Sequence, residues 1–112
     1  MSVSTHVLDT AAGRPAAGVA VRLDRRDPGG GWTELASGQT GPDGRLSGWL
    51  PEGQPAAGRH RLTFGTGGYF AGRGVVTLYP EVTITFEVSE AGGHYHLPLL
   101  VSPFGYSTYR GS

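Results

Sequence analysis

The sequence predicts an all-β sandwich, and three observations carry that prediction. Glycine and proline, 20 and 8 of the 112 residues, are spread without a fixed period and punctuate short segments. Apolar and polar residues alternate within those segments, most clearly where Val82, Ile84, Phe86 and Val88 interleave with Thr83, Thr85 and Glu87. Helical potential is confined to residues 66–72, a turn or two at most, in which three glycines weaken the helix. Short segments at this spacing, separated by turn signals, suggest two packed sheets.

The elements follow in order. A short strand is expected at residues 5–8, with Ser4, His6 and Leu8 on one face and Thr5 and Val7 on the other. Val19, Val21 and Leu23 then face one way, and Ala20, Arg22 and Asp24 the other. Asp27-Pro28-Gly29-Gly30-Gly31 is a turn, followed by a strand at 33–37. Gly41-Pro42-Asp43-Gly44 is a second turn, and it places Arg45 at the rim of a weaker strand over 45–50. The Gly-Pro-rich stretch 52–58 is too short to link domains. A strand at 60–64 precedes the possible helix. Pro80-Glu81 opens the strand 82–88, and Ala91-Gly92-Gly93 turns the chain into 94–101. Pro98 inside that last run has no N–H to donate, so irregular pairing is expected beside it. Pro103 ends it, Phe104-Gly105 turns, and a final strand is expected at 106–109.

A chain of this length is read as one domain, 1–112, able to bury a modest core. Cysteine is absent, which excludes disulfides and thiolate metal sites. Nine arginines balance nine acids with no lysine, and no basic block is present, so no nucleic-acid footprint is expected. Near-zero net charge permits self-association. No apolar run approaches a membrane span and no secretory leader is visible, so no membrane partner and a cytoplasmic location are expected.

The chemistry concentrates in four histidines, two arginines and the chain end. His94 and His96 share a strand face, opposite Tyr95, Leu97 and Leu99. On spacing alone His96 reads as a packed, satisfied histidine. The His-x-His spacing could begin a zinc site, but a third ligand is needed and only His6 offers itself. His6 alone near an N-terminus is more often surface decoration. His60, in Arg59-His60-Arg61, reads as a solvated face. Arg45 and Arg110 could each be a plain surface arginine or a fork of donors for a planar anion. The closing run Ser107-Thr108-Tyr109-Arg110-Gly111-Ser112 is rich in hydroxyl groups and poor in charge, so the end is expected to be tied down rather than frayed.

Several long motifs resemble those of the transthyretin-related 5-hydroxyisourate hydrolases. They are STHVLDTAAGRPAAGVAVRL near the start, FGTGGYFAGRGVVTLYPEVTITFEV in the middle, and HYHLPLLVSPFGYSTYRGS at the end. The closing Tyr109-Arg110-Gly111-Ser112 is the tetrapeptide that separates those enzymes from hormone-carrying transthyretins. The resemblance implies a sandwich of two four-stranded sheets with one short helix at 66–72. It implies hydrolysis of 5-hydroxyisourate to 2-oxo-4-hydroxy-4-carboxy-5-ureidoimidazoline in urate catabolism. It also implies a homotetramer with its site in a channel between dimers, and no cofactor or metal. By the same resemblance His6, Arg45 and His96 are catalytic, while Thr108, Tyr109, Arg110 and Ser112 line the pocket and bind substrate. How the two histidines divide their roles, and whether His94 contributes, stays open. A carrier channel that binds a small molecule without reacting is the alternative, and a sandwich module that binds protein or carbohydrate is a third class.

Overall fold

Strand β1 (Ser2–Asp9) organises the fold, because segments from far along the chain pair with it on both sides. The computed structural model describes residues 2–89 and 93–112. Along β1, Val3, Thr5, Val7 and Asp9 are buried, while Ser2, Ser4, His6 and Leu8 stay half-buried on the opposite face. That is the alternation a strand imposes on a sandwich. It points the first histidine away from the core.

The elements in chain order after β1 are β2 (Arg14–Pro15), β3 (Ala20–Arg26), β4 (Trp32–Gln39), β5 (Arg45–Leu46), β6 (Gly58–Phe64), α1 (Thr66–Gly72), β7 (Val82–Val88), β8 (His94–His96), β9 (Leu99–Ser102) and β10 (Gly105–Thr108). One sheet has four antiparallel strands in the order β4-β3-β6-β7, as expected. The other runs β10-β9-β1-β2, with β5 and β8 also paired to β1, and so holds six segments rather than four. The difference has a local cause. The expected strand over 94–101 is interrupted at Leu97-Pro98, where the proline cannot extend the ladder. Its halves β8 and β9 both run parallel to β1, against Ser2–Ser4 and Val7–Asp9 respectively. Between them Leu97 N–H donates to the Ser4 carbonyl (2.9 Å), and the Thr5 hydroxyl donates to the Leu97 carbonyl (2.7 Å). The other two segments, β2 and β5, are two-residue ladders on β1. The weak strand expected over 45–50 shortens to Arg45–Leu46 because Gly48 takes a positive φ of 64°. Of the turn expected at Ala91-Gly92-Gly93, the first two residues lie outside the described residues.

The two sheets close on one core. Val3 and Val7 of β1 and Leu99 and Val101 of β9 meet Val21, Leu23, Leu62, Phe64, Val82 and Val88 from the other sheet. Each such side chain contributes about 1.5–3 kcal/mol of transfer free energy. The helix forms where the sequence places it, with Tyr69 and Phe70 buried. Its Tyr69 hydroxyl donates to Asp9 Oδ2 (2.8 Å), while Asp9 Oδ1 accepts the N–H groups of Ala11 and Ala12 (3.0 and 2.9 Å). One buried carboxylate thus turns the chain out of β1 and pins the helix to the sheet.

His60 corrects the sequence reading. It is fully buried rather than solvated, on the same face of β6 as Leu62 and Phe64. Its ring lies 5.9 Å from that of Phe86 and its Nδ1 is 3.1 Å from the Gly58 carbonyl, while Nε2 has no partner among the described residues. Burial pushes its pKa down, more than the Gly58 hydrogen bond raises it. The strand period points His60 inward even though Arg59 and Arg61 flank it. Among the described residues no helix is long and apolar enough to cross a membrane.

Candidate active site

A polar cavity of about 460 Å³ opens on the outer face of the six-segment sheet, and Ser4, Arg45, Ser47, His94, His96 and Ser112 are among its walls. Its volume falls in the range of small-molecule sites, about 300–1,000 Å³. Imidazole, guanidinium and hydroxyl groups share its lining with the Leu46 side chain.

Three local structures bring these side chains together. The first is the turn at residues 41–44. Gly44 N–H donates to the Gly41 carbonyl (2.9 Å), and Gly44 itself accepts the N–H of Val7 (2.8 Å). Gly44 sits at φ 78°, and a Cβ there would fall 2.4 Å from the Val7 carbonyl, so only glycine lets the turn lie this close to β1. Asp43 Oδ1 accepts the Arg45 N–H (3.0 Å) in an Asx turn. Arg45 consequently pairs directly with His6 across the β1–β5 ladder. The Asp43 carbonyl lies 2.9 Å from His6 Nε2. A carbonyl only accepts, so His6 Nε2 carries a proton there, and in the neutral form of the ring the lone pair lies on Nδ1.

The second structure is the parallel pairing of β1 with β8, which sets Ser2 beside His94 and Ser4 beside His96. Ser2 Oγ lies 2.6 Å from His94 Nδ1, and Ser4 Oγ lies 2.8 Å from His96 Nδ1. The third is the chain end. Gly111 forms an isolated bridge with His96, donating its N–H to the His96 carbonyl (2.7 Å). This carries Ser112 to the cavity wall. Burial lowers the His96 pKa, and the guanidinium of Arg45 and the neighbouring His6 lower it further by repelling a second positive charge. Around neutral pH its ring is therefore a neutral imidazole.

The residues singled out in the sequence divide into two groups. Arg45, His96 and Ser112 line the cavity, with His6 beside Arg45 at its edge. Thr108, Tyr109 and Arg110 are exposed and do not line the cavity of the single chain. Thr108 and Arg110 instead fasten the last strand. The Thr108 hydroxyl donates to the Pro98 carbonyl (2.7 Å), and the Arg110 guanidinium donates to the His94 carbonyl (3.0 Å) and stacks 4.5 Å above the Tyr95 ring. Tyr109 is 58% exposed. His94 does line the cavity. Sequence reasoning missed Ser2, Ser4 and Ser47. For Ser4 a signal existed in its shared strand face with His6, but its meeting with His96 depends on a register 92 residues distant. Among the described residues no three His, Cys, Asp or Glu side chains form a group that could hold a metal ion.

Comparison with known proteins gives this geometry a family. A 5-hydroxyisourate hydrolase from Salmonella dublin is 46% identical over 110 residues, 98% of this chain and 80% of that protein. The solved structure of a 5-hydroxyisourate hydrolase from Klebsiella pneumoniae is 39% identical and superposes with a TM-score of 0.86 over the whole of both chains. The crystal structure of transthyretin from Sparus aurata is 34% identical and superposes with a TM-score of 0.92 over 97% of this chain and 95% of its own. The backbone alone does not separate the two kinds of relative. The model of the HIUase/Transthyretin family matches residues 3–111, and the chain belongs to that family.

Proposed function

We propose that this chain is a hydrolase that opens the ring of 5-hydroxyisourate in urate catabolism. The convergence of His96, Arg45 and Ser112 on one polar cavity, with His6 at its edge, carries the reading. Ring opening requires water to attack a ring amide carbonyl. The water oxygen bonds to the carbonyl carbon, its proton passes to an imidazole, and negative charge develops on the former carbonyl oxygen. The C–N bond then breaks and the departing nitrogen takes the proton back. The histidine pair orients the water and moves that proton. Arg45 binds the planar anionic ring and steadies the developing oxyanion. Ser112 holds substrate or water by hydrogen bonds. The downward shift of the His96 pKa favours its neutral imidazole, the form that can accept a proton.

The working unit in this reading is a homotetramer whose site is completed between dimers. Val76, Leu78, Phe104 and Tyr106 are large apolar residues at 81, 65, 69 and 45% exposure, around the turn that leads into β10. Tyr106 packs edge-on against Tyr79 (5.3 Å), and Leu78 N–H donates to the Pro103 carbonyl, so these segments meet at one surface. An exposed apolar patch of this kind marks an interface. In the assembly Thr108, Tyr109 and Arg110 face the neighbouring subunit across the channel. The reaction takes place in the cytoplasm.

The carrier reading shares the fold but needs an apolar channel. The imidazole- and guanidinium-lined cavity disfavours it. Freshly oxidised urate provides the test, through its ultraviolet spectrum. Decay of 5-hydroxyisourate should accelerate in proportion to added protein, and decay at the spontaneous rate would refute the hydrolase. Sedimentation at micromolar concentration should show four chains, and a fully active monomer would refute the shared channel.

A further inference from the structure

The turn at residues 41–44 touches two of the groups read as catalytic, and a single residue makes both contacts. Asp43 offers its carbonyl to His6 Nε2 (2.9 Å) and its side-chain Oδ1 to the Arg45 N–H (3.0 Å). The turn itself sets the direction of that carbonyl. Asp43 C=O and Gly44 N–H are the two ends of one trans peptide, so they point opposite ways. The Gly44 N–H points into the turn, to the Gly41 carbonyl, and the Asp43 carbonyl is thereby aimed outward at β1. There it meets His6, the residue that pairs with Arg45 in the β1–β5 ladder. Gly41 N–H donates to the Arg45 carbonyl (2.8 Å) and closes the base of the turn, while Val7 N–H donates to the Gly44 carbonyl (2.8 Å) and ties it to β1. Its corner is held by the Asx bond from Arg45 N–H to Asp43 Oδ1. Asp43 Oδ2 also lies 4.0 Å from Arg45 Nε, but both side chains are more than half exposed, so that ion pair adds little.

We propose that Asp43 is a positioning residue whose carbonyl holds the Nε2–H of His6, so that Nδ1 is the nitrogen on which His6 accepts the proton of the attacking water. This rests on the hydrolase reading and names the atom that serves it. In a neutral imidazole one nitrogen donates and the other accepts, and a carbonyl partner fixes which is which. The proton leaves the water oxygen as that oxygen bonds to the ring carbonyl carbon, and Nδ1 later returns it to the departing nitrogen. While Nδ1 carries the proton the ring is a cation, and the bond from Nε2–H to the Asp43 carbonyl becomes charge-assisted and stronger. The carbonyl thus orients the base before the step and stabilises its protonated form after it, the part a third group plays behind the base in a nucleophilic site. The side chain of the same residue holds the backbone of Arg45, so the base and the guanidinium are both referred to one point on the chain.

Histidine-labelled protein tests this by long-range proton–nitrogen correlation spectra at about pH 8, above the ordinary imidazole range. The His6 signals are assigned by their loss in His6→Gln. In the wild type the neutral His6 ring should carry its proton on Nε2. Asp43→Ala removes the Asx bond, and the carbonyl should swing partly away from His6. The Nδ1–H form should then become populated, and kcat should fall about threefold to tenfold, the range of one neutral hydrogen bond. Asp43→Asn keeps an Asx acceptor and should rescue both the Nε2–H form and the rate. A wild-type neutral ring protonated on Nδ1 would overturn the proposal. So would an Asp43→Ala protein with an unmoved tautomer or an undiminished kcat. Asp43→Asn behaving as Asp43→Ala would overturn it too, since charge rather than the turn would then be at work. The spectra need no substrate, so a wild-type protein inert towards 5-hydroxyisourate would sink the hydrolase reading while the tautomers still decide whether Asp43 holds His6.

Discussion

Gly111→Ala is the most informative single substitution in this chain, because the structure gives its consequence a size. An alanine Cβ at position 111 would lie 2.6 Å from His96 Cδ2, 3.4 Å from His96 Cγ and 3.3 Å from Pro98 Cγ. Carbon atoms rest about 3.5–4.0 Å apart, so about 1 Å of displacement must be absorbed somewhere. Pro98 is buried and cannot retreat. The backbone of Gly111 is held by its 2.7 Å hydrogen bond to the His96 carbonyl. The strain therefore moves either the His96 ring, away from Ser4, or the terminal segment, which takes Ser112 with it. A misplacement of about 1 Å in a reacting constellation costs about a hundredfold in rate. The fold should survive. Gly111 lies outside the core cluster, and its φ is not among the positive values that demand glycine. The overlap should cost about 1–3 kcal/mol of stability, the usual range for overpacking. The assay is the decay of fresh 5-hydroxyisourate followed in the ultraviolet, with circular dichroism on the same sample. A folded Gly111→Ala protein with wild-type kcat would refute the reasoning, since it would show that His96 and Ser112 tolerate displacement.

Three further predictions concern the same molecule. Replacing His6 or His96 by alanine should each lower kcat by about a hundredfold to ten-thousandfold, the usual worth of general acid–base help; an unchanged rate in His96→Ala would remove the central residue of the site. Treatment with a strong chelator should leave the rate intact, and a full loss restored by added zinc would show that His94, His96 and His6 hold a metal after all. The pH dependence of stability should carry the mark of His60, whose folded-state pKa is lowered from 6.5. The unfolded chain then binds more protons as the pH drops below 6.5, so this contribution to stability is complete above that value and is lost towards the folded pKa. Urea titrations across this window should show a shallower pH slope in His60→Phe than in the wild type, and identical slopes would refute the assignment.

What the sequence determined by itself is whatever repeats locally. The period-two pattern marks β1, β3, β6 and β7 as strands, and in β7 it separates the core-facing Val82, Ile84, Phe86 and Val88 from the exposed Thr83, Thr85 and Glu87. The glycine–proline turn at 41–44 places Arg45 at a rim, and Pro98 foretells the break between β8 and β9. The long motifs lead to the family. His60 was misread because its charged neighbours were weighed above the strand period that also governs Leu62 and Phe64. Tertiary structure alone decided the site. Ser4 meets His96 across 92 residues of chain, and His6 meets Arg45 only through the β1–β5 ladder. Such contacts depend on strand register, which is set by burying one face of each strand against the other sheet rather than by any residue near the contact. A one-residue slip of β8 along β1 would turn His96 towards the core and Tyr95 towards the cavity. The sequence therefore names which side chains can do the chemistry, and the packing of the two sheets decides which of them meet.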